Sequence, residues 1–503
     1  MKAKVLMIQG TTSNAGKSAI VTGLCKTLVN FGLNVAPFKP QNMSLNSAVT
    51  SDGKEIGRAQ ALQAMACGLE PHSDMNPVLL KPSSDTGSQV IVQGKVYESM
   101  IDASSYHNLK AKLFPYVLES FYNLAKKYDV IIVEGAGSPA EINLAQNDLA
   151  NMGFAKQVNC PVIIVSDIER GGVFAHLYGT WALLTENEKE LVKGFIINKF
   201  RGDKQLLNTG IDYLYQQTNI PLIGIIPYIN NLQLQAEDSL SHELPNNLTG
   251  ELNKFKVTIL KTPYISNETD FEPLFLDPNL EVSYAKSAEV FPKSDLIIIP
   301  GSKNVRESLK FVIQNSWDTE IFRHLRYGGK LIGICGGLQI LGKAIHDPLG
   351  IEGDTGSSRG LGLLDLETTI TKNKQLKLVE GYLTWNQAYV RGYEIHMGVS
   401  TGNALVNPAI ISKDQNDGAI SNDNLILATY LHGLFDENSS RQAILQWAGL
   451  KDLSHFDYNS NTQNEINKIA TNVANTLNMV EVMNILNLNK PSFPFNPNKK
   501  ITV

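Results

Sequence analysis

Short apolar runs alternate with amphipathic stretches over the N-terminal part of the chain, as far as about residue 230. Strands that are buried on both faces read as continuous apolar runs, so this alternation predicts a parallel sheet with crossover helices. The predicted strands are Val5–Gln9, Asn34–Phe38, Val130–Glu134, Val162–Val165, Gly194–Ile197 and Leu222–Ile226. The predicted helices are Lys17–Asn30, Glu55–Cys67 and Leu109–Lys127.

A second alternation of the same kind follows a polar break between Tyr228 and Phe255 that is rich in Asn, Gln and Pro. Such a break is typical of a domain boundary. We therefore predict an N-terminal domain at 1–230, a linker at 231–254, a second α/β domain at 255–450 and an extension at 451–503. The predicted strands of the second domain are Val257–Leu260, Leu296–Pro300, Leu331–Ile334 and Leu425–Tyr430, and the extension carries a helical stretch near Glu465–Leu486 before a loose tail.

Composition adds limits to this picture. A chain of 503 residues is too long for one core, and 43% hydrophobic with 18% charged residues is ordinary for a globular protein. A net charge of −5 gives no reason to expect nucleic acid or an anionic membrane as a partner. We find no apolar stretch long enough to span a membrane, and we interpret the apolar run after the two N-terminal lysines as the first strand and not as a signal peptide.

The chain has four cysteines, widely spaced and without a CxxC pair. This usage fits a reducing compartment, so we expect a cytoplasmic protein without a cysteine zinc site. Three of the cysteines have the character of small core residues, namely Cys25, Cys67 and Cys160.

The fourth cysteine lies in Gly333-Ile-Cys335-Gly-Gly337, directly after an apolar run and before a helical stretch. This is the pattern of a nucleophile elbow, in which a sharp turn from strand to helix exposes the nucleophile. The helix N-terminus favours a thiolate, and His432, at the end of another apolar run, is the candidate base. The pattern predicts a cysteine acyl-transfer site.

A phosphate-binding loop is predicted between the first strand and the first helix. Its spacing is G-x5-GKS, one residue longer than the standard loop. Backbone N–H groups of such a loop surround phosphates, and its lysine reaches the β and γ oxygens. The candidate ATP-binding residues are Gly10, Thr11, Thr12, Ser13, Asn14, Ala15, Gly16, Lys17 and Ser18, with Asn198 and Lys199 at a later strand end.

Oxygen ligands for Mg²⁺ are expected beside this loop. Glu134 ends a buried strand, where a carboxylate requires a cation, and Ser18 supplies a hydroxyl. Asp52 is a candidate second carboxylate. Lys39, Asp167 and Arg170 also follow strands whose C-terminal ends line the ligand-binding edge, so we take them as substrate-side candidates; these three sit in Pro37-Phe-Lys-Pro40 and Ser166–Gly172.

These motifs together carry a family resemblance. The N-terminal half resembles the dethiobiotin synthetase-like ATPases, and the C-terminal half resembles a class I glutamine amidotransferase. The two in this order resemble the cobyric acid synthase family. The stretches that carry the resemblance are Gly10–Ser18, Lys39–Ser44, Gly57–Gln60, Glu134–Gly137, Asp167–Gly172, Asn198–Asp203, Pro300–Asn304, Gly333–Gly337, Gly392–Gly398 and Tyr430–Phe435.

The resemblance implies a P-loop NTPase-like parallel-sheet domain followed by a flavodoxin-like amidotransferase domain. It also implies that Cys335 and His432 release ammonia from glutamine, with the oxyanion held by N–H groups at Gly301 and Gly336. Mg²⁺ and ATP would activate side-chain carboxylates of a corrinoid, at the b, d, e and g positions of cobyrinic acid a,c-diamide, for amidation in cobalamin biosynthesis.

The sequence departs from the wider class at the third catalytic position. Class I amidotransferases commonly have a glutamate two residues after the histidine, where this chain has Leu434. The third member is therefore absent or supplied elsewhere, and Glu394 is one substitute, whereas we interpret His396 as structural. A second departure is Glu268, where the family usually has an aromatic residue.

Other functions stay open at this point. The nearest alternative is a cobyrinic acid a,c-diamide synthase, which has the same two domains. An alternative of another class is a P-loop switch ATPase with a degenerate amidotransferase domain, and a third is a corrinoid-binding protein without catalysis. No motif indicates an oligomeric state.

Overall fold

The structure is a computed structural model that describes residues 3–82, 87–230, 232–233, 254–287 and 290–488. The helices are α1 Lys17–Asn30, α2 Arg58–Ala66, α3 Ala103–Lys127, α4 Met152–Val158, α5 Val173–Ala182, α6 Glu186–Lys189, α7 Asn208–Thr218, α8 Glu272–Leu276, α9 Val305–Gln314, α10 Trp317–Arg326, α11 Gly336–Leu341, α12 Asn438–Ala448, α13 Tyr458–Thr476 and α14 Met479–Ile485. The strands of the first half are β1 Lys4–Gly10, β2 Val35–Phe38, β3 Gln41–Met43, β4 Ser47–Val49, β5 Glu55–Gly57, β6 Val78–Pro82, β7 Gly87–Val92, β8 Lys95–Asp102, β9 Val130–Glu134, β10 Val162–Asp167, β11 Val192–Phe200 and β12 Leu222–Pro227. The strands of the second half are β13 Phe255–Leu260, β14 Leu280–Ala285, β15 Leu296–Ile299, β16 Lys330–Ile334, β17 Ala344–Asp347, β18 Gly356–Arg359, β19 Glu367–Leu383, β20 Tyr389–Thr401, β21 Ile410–Ser412, β22 Ala419–Ile420, β23 Ile426–Thr429 and β24 Leu431–His432.

The N-terminal half is built on a parallel sheet in the order β12-β11-β10-β1-β9-β2. Alternate residues of β1 enter two cores: Val5 and Met7 pack with α3 and α4, whereas Leu6 and Ile8 pack with α1. Both faces are therefore covered, which is why the strands read as continuous apolar runs. The predicted parallel sheet is confirmed.

The second half holds another sheet, in the order β14-β13-β15-β16-β23-β22. Its strands pair in parallel except for β22, which is antiparallel to β23. The C-terminal ends of β15, β16 and β23 are adjacent as a result. The predicted α/β class of this half is confirmed.

Antiparallel structure was not foreseen in either half. A long hairpin, β19–β20, belongs to a sheet in the order β18-β17-β19-β20-β24, and a smaller sheet in the order β3-β6-β7-β8 lies in the first half. The predicted helix Glu55–Cys67 was wrong at its start, because Glu55–Gly57 forms β5 and pairs with β4. The turn between β4 and β5 contains Gly53 at φ 70°, a conformation that favours glycine.

The C-terminal extension returns to the first half of the chain. Helix α13 packs against α1, where Thr27 donates a hydrogen bond to the carbonyl of Ala470 at 3.1 Å. The predicted helical stretch is two helices, since the chain bends at Leu477 to let Asn478 N–H bind the carbonyl of Ile223 at 2.8 Å. Most of the predicted linker and the predicted loose tail lie outside the described residues.

Among the described residues, no helix has both the length and the apolar character needed to cross a membrane.

Candidate functional site

Cys335 lies at the turn between β16 and α11 with φ 51° and ψ −104°. This left-handed conformation is uncommon for a residue with a side chain and is typical of a nucleophile elbow. The glycines around it are required by close packing, because a Cβ on Gly337 would lie 2.2 Å from the carbonyl oxygen of Ile299. The thiol is 5% exposed and faces the end of β23–β24, which carries His432.

The imidazole of His432 is held by Asp270, a residue that the sequence did not single out. Its Nδ1 lies 2.6 Å from Oδ2 of Asp270, and the other carboxylate oxygen accepts the backbone N–H of Gly433 at 3.1 Å. Burial alone lowers the pKa of His432, but the carboxylate of Asp270, and then the side chain of Cys335, raise it to about 10. The structure thus assembles a Cys335–His432–Asp270 triad, a constellation that is recognised by geometry and not by position in the chain.

Glu394 does not contact His432, so it was the wrong substitute for the missing glutamate. It accepts from His396 at 3.2 Å and pairs with Lys377 at 3.0 Å. His396 stacks on Tyr430 with ring centroids 3.8 Å apart, which agrees with a structural role. Leu434 is fully buried.

The predicted oxyanion residues lie beside this triad. Gly301 follows β15, and a Cβ there would lie 3.0 Å from Cε1 of His432. A Cβ on Gly336 would lie 2.9 Å from the backbone nitrogen of Ser302. The loop after β15 and the start of α11 therefore bring backbone amides close together next to the thiol, as an oxyanion site requires.

The predicted phosphate loop connects β1 to α1 at the C-terminal edge of the first sheet. Gly16 takes φ 96°, and the Lys17 ammonium donates to the carbonyls of Thr12 and Gly137 at 3.3 and 3.1 Å. The amide of Asn198 donates to the Ala15 carbonyl at 2.9 Å. Asn198 therefore lies beneath the phosphate loop and supports the loop backbone.

Lys199 and Asp167 form an ion pair of 2.9 Å at the same edge, and Lys199 also donates to the carbonyl of Asn14 at 3.1 Å. Arg170 lies nearby in the chain and is exposed. The edge of the sheet that we predicted to bind ligand is therefore polar, but Asp167 and Lys199 already form an ion pair with each other.

The carboxylate of Glu134 is fully buried beside the loop. It accepts from Ser18 at 2.7 Å and from Lys39 at 3.0 Å, and Gln63 of α2 binds its second oxygen. Burial raises the pKa of Glu134, but Lys39, then Gln63 and Ser18, outweigh burial and hold it below its usual value. An ionised carboxylate next to a hydroxyl at a phosphate loop fits Mg²⁺, which takes one or two carboxylates together with phosphate oxygens.

Asp52 is not among the groups around Glu134. It lies on the exposed β4–β5 turn, where it accepts from Thr50 at 2.5 Å and pairs with Lys54 at 2.9 Å. Among the described residues, no cluster of three or more His, Cys, Asp or Glu side chains is arranged to hold a metal ion. Ser18 and Glu134 are the protein groups that would hold Mg²⁺, with the phosphates of the nucleotide.

Comparison with known families agrees with this geometry. Residues 6–241 match the model of the CobQ/CobB/MinD/ParA nucleotide-binding domain, and residues 256–440 match that of the CobB/CobQ-like glutamine amidotransferase domain. The chain has a cobyric acid synthase-like architecture. The two halves are called the nucleotide-binding domain and the amidotransferase domain from here on.

Three solved structures overlap with parts of the chain at low similarity. PurLQS from Thermotoga maritima is 16% identical, with a TM-score of 0.28, over 44% of this chain and 99% of its own. A glutamine amidotransferase is 16% identical, with a TM-score of 0.30, over 39% and 99%. The signal recognition particle receptor FtsY from Elizabethkingia anophelis is 15% identical, with a TM-score of 0.27, over 45% and 57%. Overlaps of this size support no conclusion about fold or activity.

Both domains line a small cavity at Cys335. Its volume is about 30 Å³, which exceeds the roughly 10 to 15 Å³ that a cavity needs to hold a water molecule. Lys81 of the nucleotide-binding domain lines it together with Lys374 of the amidotransferase domain, and both lysines pair with the fully buried Glu55. The remaining lining residues include Ser266, Asn267, Ser302, Gln339 and Met397. The cysteine site is therefore closed in part by the other domain.

Proposed function

We propose that the protein is a cobyric acid synthase: an ATP- and glutamine-dependent amide ligase that amidates the b, d, e and g carboxylates of cobyrinic acid a,c-diamide. The observation that carries the proposal is the pairing, in one chain, of a Cys335–His432–Asp270 triad with a phosphate loop that has an ionised carboxylate beside it. A hydrolase needs no ATP, whereas a ligase that activates carboxylates needs both ATP and a source of nitrogen.

The triad supplies that nitrogen. His432 takes the thiol proton of Cys335, the sulfur attacks the side-chain amide carbon of glutamine, and backbone amides near Gly301 and Gly336 stabilise the oxyanion. His432 gives a proton to the departing ammonia, so that a glutamyl thioester remains. Water, deprotonated by His432, then hydrolyses the thioester and releases glutamate.

The nucleotide-binding domain activates the acceptor. The loop Gly10–Ser18 binds the phosphates of ATP, and Lys17 neutralises charge on the transferred group. Ser18 and Glu134 would hold Mg²⁺, which would supply further positive charge to the phosphates. The corrinoid carboxylate takes the γ-phosphoryl group and ADP leaves. Ammonia then attacks the acyl phosphate, phosphate departs and the amide remains.

The deciding experiment is mass spectrometry of the corrinoid after incubation with protein, Mg·ATP and glutamine. With cobyrinic acid a,c-diamide we expect one mass decrease, from replacing OH by NH₂, for each of the b, d, e and g carboxylates. With cobyrinic acid itself as acceptor, amidation that stops at the a and c positions would identify the alternative a,c-diamide synthase. Absence of glutamate release together with ATP hydrolysis would identify the switch ATPase.

Two variants separate the half-reactions. Cys335→Ala is expected to lose glutamine-dependent amidation and to keep amidation from added ammonia, because the nucleotide-binding domain is unchanged. Lys17→Ala is expected to lose both, since it disables activation of the carboxylate. If ammonia does not rescue folded Cys335→Ala, the two-site model is wrong.

A further inference from the structure

Helix α2 of the nucleotide-binding domain lies between the two candidate sites. Gln63 on this helix binds Glu134 beside the phosphate loop. Arg58, its first residue, crosses to the amidotransferase domain and pairs with Asp436 at 3.0 Å. The two residues are five positions apart, about 7.5 Å along a helix axis. A short rigid element therefore contacts both centres.

Asp436 belongs to the turn that follows His432. Its backbone N–H donates to the carbonyl of Gly433 at 3.1 Å, and the N–H of Gly433 donates to Asp270. Burial raises the pKa of Asp436, the guanidinium of Arg58 opposes this, and the nearby carboxylate of Asp270 raises it further. The half-buried carboxylate of Asp436 and the buried carboxylate of Asp270 thus repel each other, and Arg58 of the other domain supplies a balancing charge.

A second contact holds the loop that carries Asp270. Asn267 in this loop takes φ 52°, and its side-chain oxygen accepts the backbone N–H of Ser47 in β4 at 2.9 Å. Strand β4 pairs with β5, which leads directly into Arg58 and α2. The nucleotide-binding domain therefore contacts both the loop that carries Asp270 and the turn that follows His432.

We propose that Arg58 is a positioning residue of the glutaminase site, contributed by the nucleotide-binding domain, and that α2 makes glutamine hydrolysis respond to the ligand of Glu134. The proposal rests on the proposed function for the identity of the reaction. Arg58 touches neither the thiol nor the glutamine carbons; it acts by holding Asp436 and hence the turn that aligns His432 with Asp270.

Loss of Arg58 would leave the half-buried Asp436 without the cation it pairs with. A partly desolvated carboxylate without a partner takes a proton or moves toward water, and either change shifts the turn from Gly433 to Asp436. Cys335 and the residues that line the cavity beside it are on other elements. The expected effect is therefore on kcat for glutamine hydrolysis and much less on KM.

The test measures glutamate release by the full chain without any corrinoid, with and without a non-hydrolysable Mg·ATP analogue. For the unchanged protein we expect the analogue to alter kcat by about tenfold, a change of the order seen for coupled binding sites. Arg58→Ala should lower kcat by about tenfold and remove the response to the analogue. Arg58→Lys, which keeps the charge, should recover part of both.

Two further variants test whether the effect is specific to the Arg58–Asp436 pair. Arg323→Ala removes an arginine of similar pairing, with Glu320 on the exposed face of α10, and should behave as the unchanged protein. Asp436→Asn combined with Arg58→Ala should recover part of the lost kcat, because the uncompensated charge is gone; this double-mutant cycle isolates the pair. Amidation from added ammonia reports that each variant is folded.

Unchanged kcat in Arg58→Ala would overturn the positioning role, and no response of the unchanged protein to the analogue would overturn the link through α2. Absence of glutamate release from the unchanged protein is a different result, because it would overturn the proposed function itself.

Discussion

Replacement of Asp270 is the most direct test of the triad. In Asp270→Asn the side-chain amide keeps an oxygen that accepts a hydrogen bond from Nδ1 of His432, and the negative charge is lost. The pKa of His432 stands at about 10 with Asp270 and Cys335 in place, and a free imidazole titrates near 6.5. One unit of pKa corresponds to about 1.4 kcal/mol, so the net effect of the two partners against burial favours the imidazolium by roughly 5 kcal/mol.

Asp270 has the larger effect of the two partners, and a hydrogen bond to a charged group contributes about 1.5 to 3 kcal/mol, the upper end of which corresponds to about a hundredfold in kcat. We therefore expect glutaminase activity to fall about a hundredfold in Asp270→Asn and the pKa of His432 to fall, since burial is then opposed by Cys335 alone. The assays are glutamate release and NMR titration of the histidine. Protonated His432, with its two partners, stabilises the folded protein fully below about pH 6.5. This stabilisation is lost as pH rises through about 10, because the pKa of His432 is higher in the folded state than in the unfolded state.

Glu394→Gln is the matched control, because Glu394 is also a buried carboxylate that holds a histidine, His396, in the same domain. It should retain most of the glutaminase activity. Near-normal kcat in Asp270→Asn, or an equal loss in Glu394→Gln, would refute the assignment of the third member to Asp270.

Two further predictions concern stability. Glu55→Gln leaves two buried lysines without their carboxylate and should lower the free energy of unfolding by roughly 3 kcal/mol. The difference from the unchanged protein should shrink as pH falls below about 4.5, because Glu55 stabilises the fold only while it is ionised. Those lysines hold the pKa of Glu55 low, against the effect of burial. Denaturant unfolding across pH checks this against Glu380→Gln, an exposed pair with little to lose. Gly337→Ala places a methyl group against the backbone of β15 and should cost about 1 to 3 kcal/mol together with glutaminase activity. Thermal unfolding of Gly179→Ala, on a helix with open space around it, should by contrast show no loss.

The parallel sheets and the helix α1 were predictable because they depend on local patterns. A strand covered on both faces must be continuously apolar, and a phosphate loop must be followed by a helix, so β1, β9 and α1 are found within a residue or two of their predicted bounds. The hairpin β19–β20 was missed because its exposed face interrupts the apolar run with Lys, Glu and Asn. The partner of the C-terminal helix was invisible for another reason: α13 and α1 are more than 400 residues apart in sequence, and an amphipathic face does not name its partner.

The catalytic site divides in the same way. Cys335 was recognisable because the elbow needs glycines at fixed offsets, and His432 because it ends an apolar strand beside it. Asp270 is separated from His432 by 162 residues and lies in a polar loop with no spacing rule of its own. Asp270 was harder to predict than Cys335 or His432 because its loop is held from the other domain, where Ser47 binds Asn267. The turn after His432 is held across the domain boundary too, by Arg58 on Asp436. The position of a residue that is held by the other domain cannot be deduced from the sequence pattern of its own domain, and the same contacts are the physical basis of the proposed coupling between the nucleotide-binding domain and glutamine hydrolysis.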